Sequence, residues 1–215
     1  MYSLLIADDH PLFRDALKNA IFNHLNDLNI HETNSLESTL QYLSAEPELD
    51  LLLLDLNMPG SGDLYGLMKI RFQFPELPIA VVSGSDEPEI VANVIHAGAL
   101  GFIPKTSQSS EIANAILTIM AGEVWLPDHM RDVVNQSPDA TQQAAQKVAE
   151  LTPAQYNILC YLNEGLLNKQ IAYELNISEA TVKAHITAIF RKLNINNRTQ
   201  AVLIASSLKL KTLAL

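Results

Sequence analysis

At 215 residues and 48% hydrophobic side chains, the chain has the composition of a soluble, well-cored protein of one large domain or two small ones. Its longest apolar run, LDLLLLDL, is far below the roughly 20 residues of a membrane helix. The opening MYSLLIADDH meets acid too early for a secretory signal, and one cysteine, Cys160, cannot form an internal disulfide, so a cytoplasmic location without a membrane partner is expected. The net charge of −10 is unevenly spread: residues 1–130 hold 5 Lys/Arg against 18 Asp/Glu, whereas residues 131–215 hold 9 against 6. The acidic half suits cations and the mildly basic half suits a polyanion, although most surface charge is simply solvated.

From Met1 to about Ala121, short apolar runs (SLLIA, a weak LNIHE, LDLLLL, PIAVV, LGFI) alternate with longer amphipathic stretches. The first stretch places Leu12, Phe13, Ala16, Leu17, Ala20 and Ile21 at helical spacing, with Pro11 in its first turn. Further helices are predicted over Leu36–Ser44, Leu64–Phe74, Glu87–His96 and Ser110–Met120. Five such repeats predict a doubly wound α/β domain over residues 1–122, a five-stranded parallel sheet of flavodoxin-like type with helices on both faces. The polar SPDATQQAAQ, with Pro138 and Asp139, predicts a linker over 123–150, with enough Ala and Gln to carry some helix. No strand signal follows. Thr152 and Ser178 are good N-caps, and helices are predicted near 153–164, 168–175, 179–193 and 198–208. Only Asn176, Ile177 and Ser178 separate the second and third, the arrangement of a helix-turn-helix in an all-α domain over 151–215.

Asp8 and Asp9 follow the first predicted strand, Asp55 the third, Ser83 ends the fourth and Lys105 lies just past the fifth. In a parallel sheet these loops gather at one edge, where such folds bind ligands. Each acid taken alone also reads as a loop cap. Together, three carboxylates ask for a cation, and oxygen-only donors suit Mg2+. A carboxylate is a competent nucleophile toward a phosphoryl group, and Mg2+ with the Lys105 ammonium would neutralise the charge on the group in transit. The Ser83 hydroxyl would hydrogen-bond a phosphoryl oxygen. His10 and His96 stand alone and read as structural or solvent-facing.

The segments ADDHPLFRDAL, LLLLDLNMPG, VVSGSD and AGALGFIPK resemble the receiver domain of two-component response regulators, particularly the NarL/FixJ type, across residues 1 to about 122. The resemblance implies that Asp55 is the phosphoacceptor, modified by a sensor histidine kinase. It implies Mg2+ held by Asp9, Asp55 and the Asn57 carbonyl, with Asp8 assisting through water, and Ser83, Phe102 and Lys105 as switch and phosphoryl-sensing residues. Phe102 reads equally well as an ordinary core side chain. Two features depart from the family pattern. Asp63 stands where a glycine is usual, flanked by Gly62 and Gly66, and is expected to cap the following helix; Pro104 precedes Lys105 and stiffens that loop.

In SEATVKAHITAIFRKL, Val182, Ile186, Ile189 and Leu193 form the predicted core stripe. Thr181, Lys183, Ala184, Thr187 and Arg191 lie off it, on a face small at its centre and basic at its edges. That face suits a DNA major groove roughly 12 Å wide, and it also describes a plain solvated surface. GLLNKQIA, LNISEATVKAH and KLNINNRTQA resemble the LuxR-type helix-turn-helix across residues 151–208. The resemblance implies reading by Lys183, Ala184 and Thr187, backbone contacts from Asn168 and Lys169, and a homodimer on a two-fold symmetric double-stranded site through Ala201, Ile204, Ala205 and Leu208. Ala154-Gln155 replaces the usual arginine-glutamate pair, with loss of a salt bridge or phosphate contact expected.

The leading reading is a transcription regulator gated by phosphorylation, with no enzymatic activity beyond phosphotransfer to its own aspartate and autodephosphorylation. A haloacid-dehalogenase-type phosphatase would need an acid two residues after its nucleophile, where this chain has Asn57. A DNA-binding protein gated by a ligand or partner over an idle receiver is the third reading. Trp125 in VWLPD has no arginine beside it to clamp a phosphate, which favours packing.

Overall fold

The computed structural model describes residues 2–45, 48–131 and 139–213. Pro138, read as part of the linker turn, lies outside the described residues. The first half runs β1 (Tyr2–Ala7), α1 (Pro11–Phe22), β2 (Leu28–Thr33), α2 (Leu36–Ala45), β3 (Leu51–Leu54), α3 (Leu64–Gln73), β4 (Ile79–Ser83), α4 (Pro88–His96), β5 (Gly101–Pro104) and α5 (Ser109–Met120). All pairings are parallel, in the order β2-β1-β3-β4-β5.

Strand alternation distributes the core to the two faces. Leu4, Ile6, Leu51, Leu53, Ala80, Val82 and Ile103 pack with α1 and α5. Leu5, Leu52, Leu54, Val81 and Phe102 pack on the other face with Leu36, Leu67 and Val94 from α2, α3 and α4. β3, β4 and β5 are buried throughout, whereas β2 is an edge strand with no buried residue, which explains its faint apolar signal. Pro104 sits on the other edge strand, where a missing ladder donor costs little. That edge is partly covered: Trp125 forms a parallel bridge to Gly101, its carbonyl accepts the Phe102 N–H at 3.2 Å, and its side chain is buried. The packing role expected of Trp125 is what the structure shows.

The second half comprises α6 (Asp139–Ala149), α7 (Pro153–Asn163), α8 (Asn168–Glu174), α9 (Glu179–Leu193) and α10 (Arg198–Ser207). Thr152 and Gln155 form a capping box on α7, and the Ser178 hydroxyl accepts the Thr181 N–H at 3.0 Å on α9. Asn176 (φ 51°) and Asn194 (φ 55°) supply the left-handed turns before and after α9, a conformation asparagine tolerates better than most residues.

The halves share one apolar cluster. α6 packs against α3 and α4 of the sheet domain and also meets α9. The rings of Tyr65 on α3 and Tyr156 on α7 lie 4.5 Å apart, each hydroxyl donating across the seam, to the Leu151 carbonyl at 3.2 Å and the Gly62 carbonyl at 3.4 Å. Burial pushes the Tyr65 hydroxyl up to about 12 and Tyr156 further up, so both remain protonated donors. The C-terminal segment is tied to its own half, where Asn157 Oδ1 accepts the Leu213 N–H at 2.7 Å, and reaches the other through Lys211, which pairs with Asp63 at 3.0 Å. The 123–150 segment is therefore not a bare connector, since Trp125, Leu126 and Met130 are buried at one end and Ala145, Val148 and Ala149 at the other.

Candidate functional site

The ladder itself assembles the acidic centre. Beyond the strand ends, the Asp8 N–H donates to Thr33, the Asp55 N–H to Ala7 and the Lys105 N–H to Ser83, at 3.1, 2.8 and 2.8 Å. Four loops thereby converge at one sheet edge. The Lys105 ammonium lies 2.6 Å from Asp8 Oδ2 and 3.2 Å from Asp55 Oδ2. Asp8 and Asp55 are buried and Asp9 is about a third exposed. Asp55 lies, with Asn57, Gly84 and Lys105, in an open depression of about 420 Å³ that faces solvent.

Asp55 is the anomaly of this centre. It is 1% exposed, and its nearest charged partner is the Lys105 ammonium, 3.2 Å from Oδ2. One ammonium shared between two buried carboxylates leaves net negative charge in the centre, which a cation would relieve. Burial pushes its carboxyl above the ordinary range; the Lys105 ammonium opposes this, and the Asp8 charge adds to it. The donor set fits a cation, since candidate ligand atoms of Asp8, Asp9, His10 and Asp55 all lie within 4.8 Å of one another.

Ser83 is buried near the same edge, its Oγ accepting the Ser85 N–H at 3.2 Å. Phe102 is fully buried among core residues, its inward position already taken. Asp63 corrects an expectation. It precedes α3, but its side chain caps nothing; the backbone stands at φ 51°, ψ −105°, and the carboxylate faces Lys211. An extended N-cap geometry is required for capping, and this backbone does not have it.

Three neighbours escaped sequence reasoning. His10, read as solitary, places Nδ1 3.2 Å from Asp8 Oδ1 and 2.8 Å from Asp9 Oδ1. Arg14 donates to the Asp8 carbonyl at 2.6 Å and pairs with Glu32, fixing the acidic turn from behind. The Phe13 ring carries the Lys105 ammonium 4.4 Å from its centroid. All three lie within the first turn after Asp9, so adjacency to the acid pair was the available signal.

On α9, Val182, Ile189 and Leu193 are buried and Ile186 is partly buried, while Thr181, Lys183, Ala184, Thr187 and Arg191 are all exposed. The receiver leaves this face open. Lys183 pairs with Glu179 at 3.0 Å, and the Thr187 hydroxyl donates to the Lys183 carbonyl at 3.0 Å. Lys169 is exposed and Asn168 partly buried at the start of α8. Gln155 is not an idle replacement: its Oε1 closes the cap on Thr152 and accepts from Lys192 at 2.9 Å. The apolar seam on α10 is used within the domain. Ala201, Ala205 and Leu208 are buried and Ile204 partly buried, because the small residues let α10 lie close on α7. The outward side of α10 instead shows Thr199, Leu203 and Ser206.

Comparison with known proteins matches this architecture. The family model of the response regulator receiver domain matches residues 4–117, and that of bacterial regulatory proteins of the luxR family matches residues 149–205. The chain is 43% identical to the glycerol metabolism activator of Pseudomonas putida, over 97% of this chain and 96% of that one. It is 32% identical to the nitrate/nitrite response regulator NarL of Escherichia coli, over 93% and 92%, and 34% identical to the transcriptional regulatory protein LiaR of Bacillus subtilis, over 95% and 97%. Among solved structures, RcsB of Salmonella enterica bound to a promoter with a phosphomimetic superposes with a TM-score of 0.58 at 24% identity, covering 96% of this chain and 98% of that one, a likeness of fold. No described helix is long and apolar enough to cross a membrane. The chain belongs to the NarL/FixJ family of two-component response regulators, with a receiver domain and a LuxR-type helix-turn-helix DNA-binding domain.

Proposed function

We propose that a sensor histidine kinase phosphorylates Asp55 and that phosphorylation controls dimerisation and promoter binding in the cytoplasm. The observation that carries this reading is the buried Asp55 carboxylate, clustered with Asp8 and Asp9, beside the Lys105 ammonium and lining an open depression. An Asp55 oxygen would attack the phosphorus of a phosphohistidine, displacing the imidazole and leaving an acyl phosphate. Mg2+, held by Asp9, Asp55 and the Asn57 carbonyl with Asp8 through water, would supply charge neutralisation; Lys105 would bind a phosphoryl oxygen and Ser83 would donate to another. Autodephosphorylation by water completes the receiver's own chemistry.

The unit boundaries of this reading are a receiver over 1–122, a connecting segment over 123–150 and the DNA-binding unit over 151–215. The reading face is Thr181, Lys183, Ala184, Thr187 and Arg191, with Asn168 and Lys169 at the DNA backbone. Pairing on a two-fold symmetric site would raise effective concentration, with avidity gains of about 10²–10⁴ where geometry allows. Since Phe102 is already inside, the signal would pass through Ser83 and its loop rather than through an inward turn of this ring. The test is intact-mass measurement after treatment with a small phosphodonor and Mg2+, alongside a gel-shift titration at fixed salt. One added phosphoryl group on the wild type and none on Asp55→Asn, with tighter DNA binding only after labelling, is expected. Labelling of Asp55→Asn refutes the site, and equal DNA binding in both states refutes the gating.

A further inference from the structure

We propose that the cavity between α3, α4 and α6 is a binding site for a small organic monocarboxylate, clamped by Arg71 and assisted by His96. The cavity holds about 370 Å³, the size of a small-molecule site, and shares no lining residue with the depression at Asp55. α3 contributes Arg71 and Phe72 from its last turn, with Pro75 just beyond, and α4 contributes His96, its last residue. α6 closes the third side with Ala145 and Ala149. Met68, Phe72 and Pro75 give the space an apolar wall.

Two nitrogens here are out of water with nothing to bond. Arg71 Nε and His96 Nδ1 are both buried, and among the described residues neither has a hydrogen-bond partner. Folded proteins leave few such groups, because each costs about as much as a lost hydrogen bond. The arginine is already oriented. Its Nη1 donates to the Pro75 carbonyl at 2.6 Å, and its side chain lies on Gly98, where an added Cβ would stand 3.2 Å from Cγ and from Nε. One edge of the planar fork is thereby fixed. The other edge, Nε with Nη2, is the pair that receives a carboxylate side-on. Burial pushes the guanidinium below its ordinary value and the Glu76 charge opposes this, yet no described carboxylate forms an ion pair with it. In the tautomer that carries hydrogen on Nδ1, His96 supplies a second donor.

Charge then limits the class of ligand. α3 and α4 both end at this cavity, with the unpaired carbonyls of helix C-termini, and the exposed Glu150 also lines it. A dianion meets more repulsion there than a monoanion, and the apolar wall suits a hydrocarbon body. Occupancy would brace α6, which packs on the receiver and also meets α9, so a ligand at this seam acts on the DNA-binding half.

Calorimetric titration of the full chain with sodium benzoate, benzamide and inorganic phosphate tests this in wild type, Arg71→Gln, Arg71→Lys and His96→Phe, with thermal melts to verify folding. One benzoate should bind wild type saturably. Arg71→Gln should weaken it by at least about tenfold, the scale of a lost charge-assisted hydrogen bond. Arg71→Lys, which keeps the charge but not the fork, should fall between the two. His96→Phe should weaken it by about 2–12-fold, as for a neutral hydrogen bond. The uncharged benzamide should bind wild type at least about tenfold more weakly than benzoate, and phosphate should not displace benzoate. Amide exchange across α6 should slow with saturating benzoate in wild type. Absence of saturable benzoate binding to wild type overturns the site, and equal affinity in folded Arg71→Gln overturns the clamp. Benzamide binding as tightly as benzoate reduces the cavity to an apolar hole; this comparison, made on wild type alone, decides even if Arg71→Gln fails to fold. Displacement by phosphate overturns the monocarboxylate class, and unchanged α6 exchange with benzoate bound overturns the bracing.

Discussion

The acidic centre of the receiver and the reading face of α9 place charge in opposite circumstances. In the receiver, Asp8 and Asp55 are withdrawn from water and held by backbone bonds at strand ends, with a single ammonium between them. On α9, Lys183 and Arg191 stand in solvent on a helix whose stability comes from the opposite stripe of Val182, Ile189 and Leu193. The first region stores unfavourable desolvation that a cation and a phosphoryl group can relieve. The second carries its function at almost no cost to the fold. Substitutions should therefore couple function to stability in one region and separate them in the other.

The largest effect is expected at Phe102. Its ring is 0% exposed and packs among the residues of the α2–α4 face. Phe102→Ala should destabilise the receiver by about 3–5 kcal/mol, as for other buried aromatic truncations. Urea unfolding measures it. A loss below about 1 kcal/mol would mean that the ring is not part of the core, and would restore the surface-to-core switch as its role.

Next comes Asp55→Asn. The carboxyl is raised by burial, so its ionised form is the less favourable one in the folded state. With a folded value above the unfolded one, its contribution is present below the unfolded pKa and is lost as pH rises through the folded value. At neutral pH the charge is a liability, and the amide should raise stability by about 1–3 kcal/mol while abolishing labelling. The advantage of the amide over wild type should shrink as pH falls toward the carboxylate range. A thermal melt series from pH 4 to 8 measures this; a less stable Asn variant at pH 7 would show that Lys105 overcompensates the burial.

Lys183→Ala should reverse the pattern. Its ammonium is mostly exposed and, among the described residues, its ion pair is with Glu179 one turn away, so folding stability should change by less than about 0.5 kcal/mol. DNA binding should weaken about tenfold or more, in line with a loss of roughly 1–3 kcal/mol per good base contact. Gel-shift titration and urea unfolding on one preparation separate the two. A variant that loses stability and DNA binding together would erase the contrast between the regions.

The contrast also explains what could be read from the chain itself. Asp8, Asp9, Asp55, Ser83 and Lys105 sit at strand ends, and strand ends are marked by apolar runs that stop abruptly, so topology alone brings them together. The core stripe of α9 was legible because helical period assigns faces without knowledge of neighbours. The seam on α10 was not: Ala201, Ala205 and Leu208 form a stripe either for a partner or for α7, and period cannot distinguish the two. Asp63 failed for a related reason, since its partner Lys211 lies in a distant segment, and the neighbouring Gly62 lies against Leu213 of that same segment, where an added Cβ would meet the leucine side chain. Local rules see neither.

The seam between the halves sets a charged contact beside an apolar one. There Tyr65 and Tyr156 bury their rings against each other, while the Lys211–Asp63 pair stands at the rim, with the lysine side chain 70% and the aspartate 26% exposed. Ordering a long, exposed lysine offsets much of its attraction, and solvent screens the rest, so Lys211→Ala should cost no more than about 1 kcal/mol. The loss should vanish in 1 M salt, where screening operates over about 3 Å. The tyrosine pair should be indifferent to salt, because its contribution is apolar area and two hydrogen bonds out of water. Urea unfolding of wild type, Lys211→Ala and Tyr156→Ala at low and high salt ranks the two contacts. Tyr156→Ala should lose about 3–5 kcal/mol at both, as a buried aromatic does. A salt-sensitive loss above about 2 kcal/mol in Lys211→Ala would instead make the C-terminal ion pair the fastening between receiver and DNA-binding half, and charge, not packing, the property that joins them.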